Sequence, residues 1–206
     1  MIVILYSTII LFIVSILFSK EIHKHNTTLY AMAIVVVLFT TREVPNIVNL
    51  GYVPIAFFIV VLFSGLLERN TVRKKLFTVR AELAIIGSIL MFPHAFGYVE
   101  YYLMELLYGS VTLSFLLGLL AYLMMIPLFI TSFQKVRRKM SYKTWKTLHK
   151  TAYVFFLLVG LHVILIANEN QLLYIALFGF YFTMRFITSI QSNRHKQYKQ
   201  QSLKTT

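Results

Sequence analysis

Long apolar runs alternate with short polar connectors along the chain, and seven of the runs are candidate membrane-crossing helices. A helix needs roughly 17–25 consecutive apolar residues to cross a bilayer. The pattern predicts an uncleaved first span, because no basic residue precedes it. If the short second run does not cross, six spans remain and only the N-terminal end changes. The predicted spans are 1–18, 28–40 with an extension toward 45, 52–67, 81–98, 109–132, 148–167 and 171–190.

Charged residues lie in alternate connectors, and this alternation predicts the orientation of the chain. Lys and Arg dominate residues 68–80, 133–147 and the tail 191–206, which is expected to be disordered. Basic connectors stay in the cytoplasm. We therefore expect the C-terminus inside the cell membrane and, with seven spans, the N-terminus outside. The connectors leave no room for a soluble donor or acceptor domain, so we expect a subunit rather than a self-contained enzyme.

The composition narrows the class of protein and the kind of cofactor. Only 13% of the residues are charged, against about 25% in soluble domains. The net charge of +13 is explained by orientation and by contact with anionic lipid, so lipid is an expected partner and nucleic acid is not. Cysteine is absent, which excludes disulfides, iron–sulfur clusters held by cysteine and covalently attached c-type haem. Electron transfer would need a cofactor held by other side chains, with histidine the first candidate.

Two of the six histidines are predicted to lie at one depth in the membrane. His94 lies 13 residues along the fourth span and His162 lies 14 residues along the sixth. At 1.5 Å per residue both reach about 20 Å from the inner surface. Two imidazoles at one level on parallel helices are the arrangement that a bis-histidine haem b needs. The alternative is a hydrogen bond between helices. The histidines of the polar segments are expected to be solvated: His23, His25 and His195.

His149 lies near the inner surface, and its place as a ligand of a second, inner haem stays open. Thirteen residues separate it from His162, which is about 140° around an ideal helix. An irregular helix start or a π-bulge would be needed to aim both rings at one neighbour. A solvated interfacial histidine is the alternative. Arg80 and Arg185 could pair with haem propionates or a flavin phosphate, or extend to the interface.

Two stretches of sequence resemble a known family. TSFQKVRRKMSYKTWKTLHKTAY, followed by GLH, is similar to the W-x-x-L-H-x-x-x-Y…H signature of the ferric reductase-like transmembrane domain. RAELAIIGSILMFPH resembles the histidine-bearing third core helix of that family. The resemblance covers residues 55–190 and is nearest to members that form the haem-binding membrane subunit of periplasmic methionine sulfoxide reductase systems.

The resemblance implies a fold and a set of ligands. It implies a six-helix haem-binding core (51–190), to which the hydropathy and charge patterns add N-terminal transmembrane segments (1–50) and a basic cytoplasmic tail (191–206). His94, His149 and His162 match the family's haem iron ligand positions. Two features depart from the family pattern. The slot of a further histidine on the His94 helix holds Leu107 or Tyr108, and the extra N-terminal span lies outside the usual six helices.

The sequence thus predicts an all-α integral membrane protein, a six-helix haem-binding bundle with an extra N-terminal transmembrane helix. The first functional hypothesis is a haem b subunit that passes electrons outward from a cytoplasmic flavin reductase or quinol. Its acceptor would be an extracytoplasmic reductase; a second haem and a flavin are left open. The second hypothesis is reduction of ferric or cupric chelates at the outer face. The third is a cofactor-free transporter or assembly factor, although transporters often show repeats and none is seen here.

Overall fold

The computed structural model describes residues 2–40, 46–109, 111–167 and 169–202, without the side chains of 100–102, 105 and 192–202. The role predicted for His195, the extension of the second span toward residue 45 and the end of the tail lie outside this part. The described residues form helices and no strand. The helices are α1 (Ile2–Leu17), α2 (Ser19–Lys24), α3 (Asn26–Phe39), α4 (Tyr52–Ser64), α5 (Thr71–Leu107), α6 (Leu113–Ser132), α7 (Gln134–Arg137), α8 (Tyr142–Lys150), α9 (Ala152–Ile166) and α10 (Gln171–Ser202).

The long helices run in alternate directions between two ends of a bundle. One end, called here the basic end, carries the Lys- and Arg-rich segments 67–75 and 133–146. At the opposite end, the start of α4 meets the later part of α5, where Gly51 lies against His94. The start of α6 likewise meets the later part of α9. The alternation follows from the short connectors, which return each helix beside its predecessor.

The first three helices form one bent segment rather than two helices joined by a polar connector. The predicted connector 19–26 is largely helical, because i→i−4 hydrogen bonds continue through it, as from Ile22 N–H to the Phe18 carbonyl at 2.9 Å. The helix bends at Phe18 and His25, where ψ rises to 23° and 24°. α1 packs on α4, whereas α2 and α3 pack on α5.

Two helices extend beyond the spans that hydropathy predicts. α5 was predicted over 81–98 but begins at Thr71, where the Asn70 side chain accepts the Arg73 N–H at 2.9 Å. It continues past Pro93, which a membrane helix tolerates. α10 continues to Ser202, so the prediction of a disordered tail is wrong over 191–202. This segment is rich in Gln, Lys and Arg, which are good helix formers.

The chain is an all-helical, multi-pass membrane protein. Within the described residues, four helical stretches are long and apolar enough to span a bilayer: Thr71–Val99, Leu113–Ser132, Tyr142–Ile166 and Gln171–Gln191. α1, α3 and α4 are apolar but shorter, so their crossing remains a prediction. α4 is nearly all buried over 54–64 and forms the centre of the bundle, while α1, α3, α6 and α10 expose large apolar side chains. Such exposure suits contact with lipid, since lipid tails are apolar.

Candidate functional site

An apolar cavity of about 370 Å³ lies between α1, α4, α5, α6, α9 and α10, toward the end opposite the basic end. Its size falls in the range of cofactor pockets, about 300–1,000 Å³. Both predicted ligand histidines, His94 and His162, line it. Most of the other lining residues are aliphatic, thioether or aromatic, including Met91, Leu119, Met125, Phe155 and Val159.

His94 is held by the turn that precedes α4. Its Nδ1 lies 3.1 Å from the Asn49 carbonyl oxygen. A carbonyl only accepts hydrogen bonds, so Nδ1 carries the proton and donates it. Gly51 allows this approach, because a Cβ there would lie 3.1 Å from the same nitrogen. Its φ of +80° is also a backbone conformation that favours glycine.

His162 is held in the same way by the first turn of α6. Its Nδ1 donates to the Ser114 carbonyl at 2.7 Å. The ring packs on the backbone of α6 at Gly118, where a Cβ would lie 2.8 Å from His162 Cε1. Only a residue without a side chain therefore permits this ring position. Sequence reasoning missed both glycines, although a small residue at the helix level of a buried ring was a visible signal.

The two imidazoles lie close together in the lining of the cavity. Their ring centroids are 6.4 Å apart and their planes are inclined by 77°. Since each Nδ1 is occupied by a carbonyl, Nε2 is the nitrogen that remains for a metal. Two metal–imidazole bonds of about 2.0–2.1 Å, with half of each ring added, span roughly 6 Å. The observed spacing therefore suits one metal between the two rings.

The chemistry of the donor set selects the kind of metal group. Among the described residues, no group of three or more His, Asp or Glu side chains could hold a metal ion. Two histidines alone are too few for a bare ion, which takes four or more ligands. They suffice for haem, whose own ring supplies the other four. The site residues and the apolar lining fit a haem b.

His149 has a different environment at the basic end. Its Nε2 lies 3.1 Å from Thr131 Oγ1, and its ring centroid is 4.4 Å from that of Trp145. The helix is interrupted at Thr151, between α8 and α9. An irregular helix start is what the sequence requires for both rings to point at one neighbouring helix. Both His149 and His162 do contact α6. The described contacts of the His149 ring are thus with a hydroxyl and an indole ring.

The two predicted arginines lie close to each other, and the charge of Arg80 also acts on His149. Arg185 Nη2 donates to the Tyr153 hydroxyl at 2.6 Å. The charges of Arg80 and Arg185 act on each other and on Tyr153 and Tyr181. Neither guanidinium has a carboxylate partner among the described salt bridges. Pairing with an anionic group of a cofactor, as the sequence suggested, stays a prediction.

The family described as "Ferric reductase like transmembrane component" matches residues 46–160, which is more than half of the chain. The chain belongs to this family. The matched core of the ferric reductase-like protein contains His94, His149 and both cavity glycines, and it ends just before His162. Helices α1 to α3 precede the match. No solved structure matches the chain.

The chain is similar in sequence to three proteins from other sources. An uncharacterized protein of Treponema pallidum (strain Nichols) is 27% identical over 179 residues, 77% of this chain and 50% of its own length. Magnetosome protein MamZ of Magnetospirillum gryphiswaldense is 48% identical over 56 residues, 27% of this chain and 9% of its own. MamZ of Paramagnetospirillum magneticum is 45% identical over 56 residues, with the same coverage. The chain thus spans half or less of each relative.

Proposed function

We propose that this ferric reductase-like protein is a haem b-containing electron-transfer subunit of the cell membrane, with His94 and His162 as axial ligands. The observation that carries the proposal is the pair of imidazoles whose ring centroids are 6.4 Å apart, each with Nδ1 bound to a backbone carbonyl. Such second-shell bonds fix the ring and raise the basicity of the ligating nitrogen. A family-wide role in membrane electron transfer agrees with this proposal.

The residues of the cavity do three things in this proposal. The Asn49 and Ser114 carbonyls hold the tautomer in which Nε2 has its lone pair. Gly51 and Gly118 allow both rings to reach the cavity. The apolar lining excludes water and lowers the local dielectric, which influences the reduction potential. A haem b bound there would supply one-electron redox chemistry.

The direction of electron flow is proposed from the position of the site. The histidine pair lies toward the end opposite the basic end, and basic connectors mark the cytoplasmic side. Electrons would therefore enter at the basic end and leave at the outer face. In this respect the protein resembles MsrQ (YedZ), the haem-binding membrane subunit of the periplasmic methionine sulfoxide reductase system. The donor would be a cytoplasmic flavin reductase or quinol, and the acceptor an extracytoplasmic reductase.

The description of the matching family favours a second candidate, direct reduction of ferric or cupric chelates at the outer face. The two candidates share the haem and differ in the acceptor. Dithionite-reduced protein that ferric chelate reoxidises rapidly would favour the second candidate. Protein that reacts only with an exported reductase would favour the first.

The haem itself is tested by purifying the protein after haem-replete expression. We expect a Soret band, the spectrum of a six-coordinate low-spin haem and a pyridine haemochrome of the b type. A colourless protein that is nevertheless folded would contradict the proposal and favour the cofactor-free transporter or assembly factor. Circular dichroism and gel filtration of the same sample distinguish this outcome from misfolding.

A further inference from the structure

A carboxyl group is buried where the N-terminal helices meet the matched core. Glu82, on α5, is 4% exposed. Its Oε1 lies 2.7 Å from Nδ1 of His23, on α2. Glu82 precedes His94 by twelve residues on one helix, which places it about 18 Å away. The contact is therefore separate from the candidate haem site.

The carboxyl group is only half satisfied. Its second oxygen, Oε2, is buried without a hydrogen-bond partner. Ser15 Oγ, on α1, is also buried without one. Ser15, Ser19 and His23 follow at intervals of four and so share one helix face, and both serines are buried. A buried carboxylate with one oxygen unpartnered in an apolar setting is costly. Binding one proton lowers that cost, because it neutralises the charge.

Few other charges face Glu82 from the helices packed on α5. α3 supplies Tyr30, whose phenol interacts electrostatically with Glu82. α1, α4 and α6 contain only Tyr6, Tyr52 and Tyr122 as titratable residues. Tyr52 and Tyr122 line the cavity at the opposite end. In α2 the remaining titratable residues are exposed (Lys20, Glu21 and Lys24), as is His25 directly after the helix. Arg80, on α5 itself, lies against Phe77. Among the residues that the structure describes, His23 is thus the cationic partner of Glu82.

The two members of the pair differ sharply in exposure. The His23 side chain is 56% exposed, whereas that of Glu82 is 5% exposed. Since the Nδ1 atom of His23 is engaged with Glu82, Nε2 is the nitrogen available to water. The imidazole therefore connects a buried acid to solvent at the basic end. A neighbouring pair, Glu21 and His25, is 3.5 Å apart with both side chains more than half exposed, and so resembles an ordinary surface contact.

We propose that Glu82 and His23 form a proton-binding site that takes up one proton from water at the basic end. A hydronium ion gives its proton to His23 Nε2 and leaves as water, and the Nδ1 proton passes to Glu82 Oε1. One hydronium O–H bond and the Nδ1–H bond break, while an N–H bond forms at Nε2 and an O–H bond forms at Oε1, so the negatively charged pair becomes neutral. The ring then returns to its first tautomer by rotation or by exchange with water. No oxidant or reductant takes part, and the site does not depend on haem.

The site gives the N-terminal helices a function. They precede the family match at 46–160, and they supply His23 to a carboxyl group within that match. A membrane core that gains negative charge can be neutralised by a proton bound nearby. The proposed site would provide that proton from the side where the basic connectors lie.

Infrared spectroscopy of the purified full chain, titrated in H₂O and D₂O, tests this assignment. Glu82→Gln keeps the size of the side chain and removes the acid, and Glu21→Gln is the matched control. We expect a protonated-carboxyl C=O band that shifts in D₂O, is lost in Glu82→Gln and is kept in Glu21→Gln. Identical bands in the wild type and a folded Glu82→Gln, at every pH, would overturn the proposal.

The second variant tests the role of His23 and does not alter the acid. We expect His23→Gln to keep the band and to slow its exchange with deuterium several-fold, whereas His25→Gln exchanges like the wild type. Equal exchange rates in both variants would overturn the relay. If Glu82→Gln fails to fold, this comparison still decides the matter. The haem spectrum measured on the same samples keeps the two proposals separable.

Discussion

One stretch of chain carries a histidine to each end of the bundle, and the two rings are bound in opposite ways. At the end opposite the basic end, His162 Nδ1 donates to the Ser114 carbonyl. The Nε2 atom of His162 remains for a ligand in the cavity that His162 shares with His94. At the basic end, His149 uses Nε2 itself to bind Thr131 Oγ1, and its ring lies against Trp145. The Nε2 atom of His162 thus remains available for a ligand, whereas the Nε2 atom of His149 already has a hydrogen-bond partner.

The difference between the two histidines arises from α6, which contacts both rings. Gly118 gives His162 access to the helix backbone, whereas Thr131 offers His149 a hydroxyl. A glycine exposes backbone and permits close approach, while a threonine hydroxyl is a hydrogen-bond partner in its own right. Whether a membrane histidine can bind metal therefore depends on which nitrogen its neighbour takes, as well as on its depth.

The largest effect is expected from removing one ring of the far pair. His94→Ala and His162→Ala should each abolish the low-spin haem spectrum, because one axial ligand is lost from a two-ligand site. Haem per protein, measured as pyridine haemochrome, should fall to the background of the preparation. The control is His25→Ala, which changes an exposed histidine directly after α2. Full haem retention in both variants would show that these rings are not the ligands.

A smaller but still large effect is expected from Gly118→Ala. The new Cβ would lie 2.8 Å from His162 Cε1 and 2.9 Å from its Nδ1, so the ring must move. We expect a shift from the low-spin spectrum toward a mixture of spin states, and a stability loss of about 1–3 kcal/mol from overpacking. Gly179→Ala is the matched control, because a Cβ there meets nothing within 4 Å. An unchanged spectrum in Gly118→Ala would mean that His162 does not ligate from this position.

The sequence predicts the positions of His94 and His162 better than it predicts the ends of the helices that carry them. Depth counting places His94 and His162 at one level, and the structure brings their rings together. Depth counting works because a helix rises by a constant amount of about 1.5 Å per residue. A small error in the predicted start of a helix therefore changes the predicted depth of a residue only slightly. The start of α5 is nonetheless ten residues earlier than hydropathy predicts. Hydropathy detects apolar residues, and the first helical turns of α5 are rich in Lys and Arg.

Contacts made by backbone atoms could not be predicted. The carbonyls of Asn49 and Ser114 hold the two rings, and any residue type supplies a carbonyl. The pair of Glu82 with His23 was missed for another reason. Both lie where hydropathy indicates connectors or span ends, and their contact depends on how α2 packs on α5. Sequence patterns within one helix carry no information about that packing.

The smallest effect is expected at the basic end, where His149→Ala tests the other half of the comparison. Its hydrogen bond with Thr131 and its contact with Trp145 together stabilise the fold by about 1–2 kcal/mol. We therefore expect a modest loss in thermal stability and an unchanged low-spin spectrum, with full haem per protein. Thr131→Val, which removes only the hydroxyl, should reproduce part of the stability loss. If His149→Ala instead loses a share of the haem while Thr131→Val keeps it, His149 is the ligand of a second haem, and the two ends are alike after all.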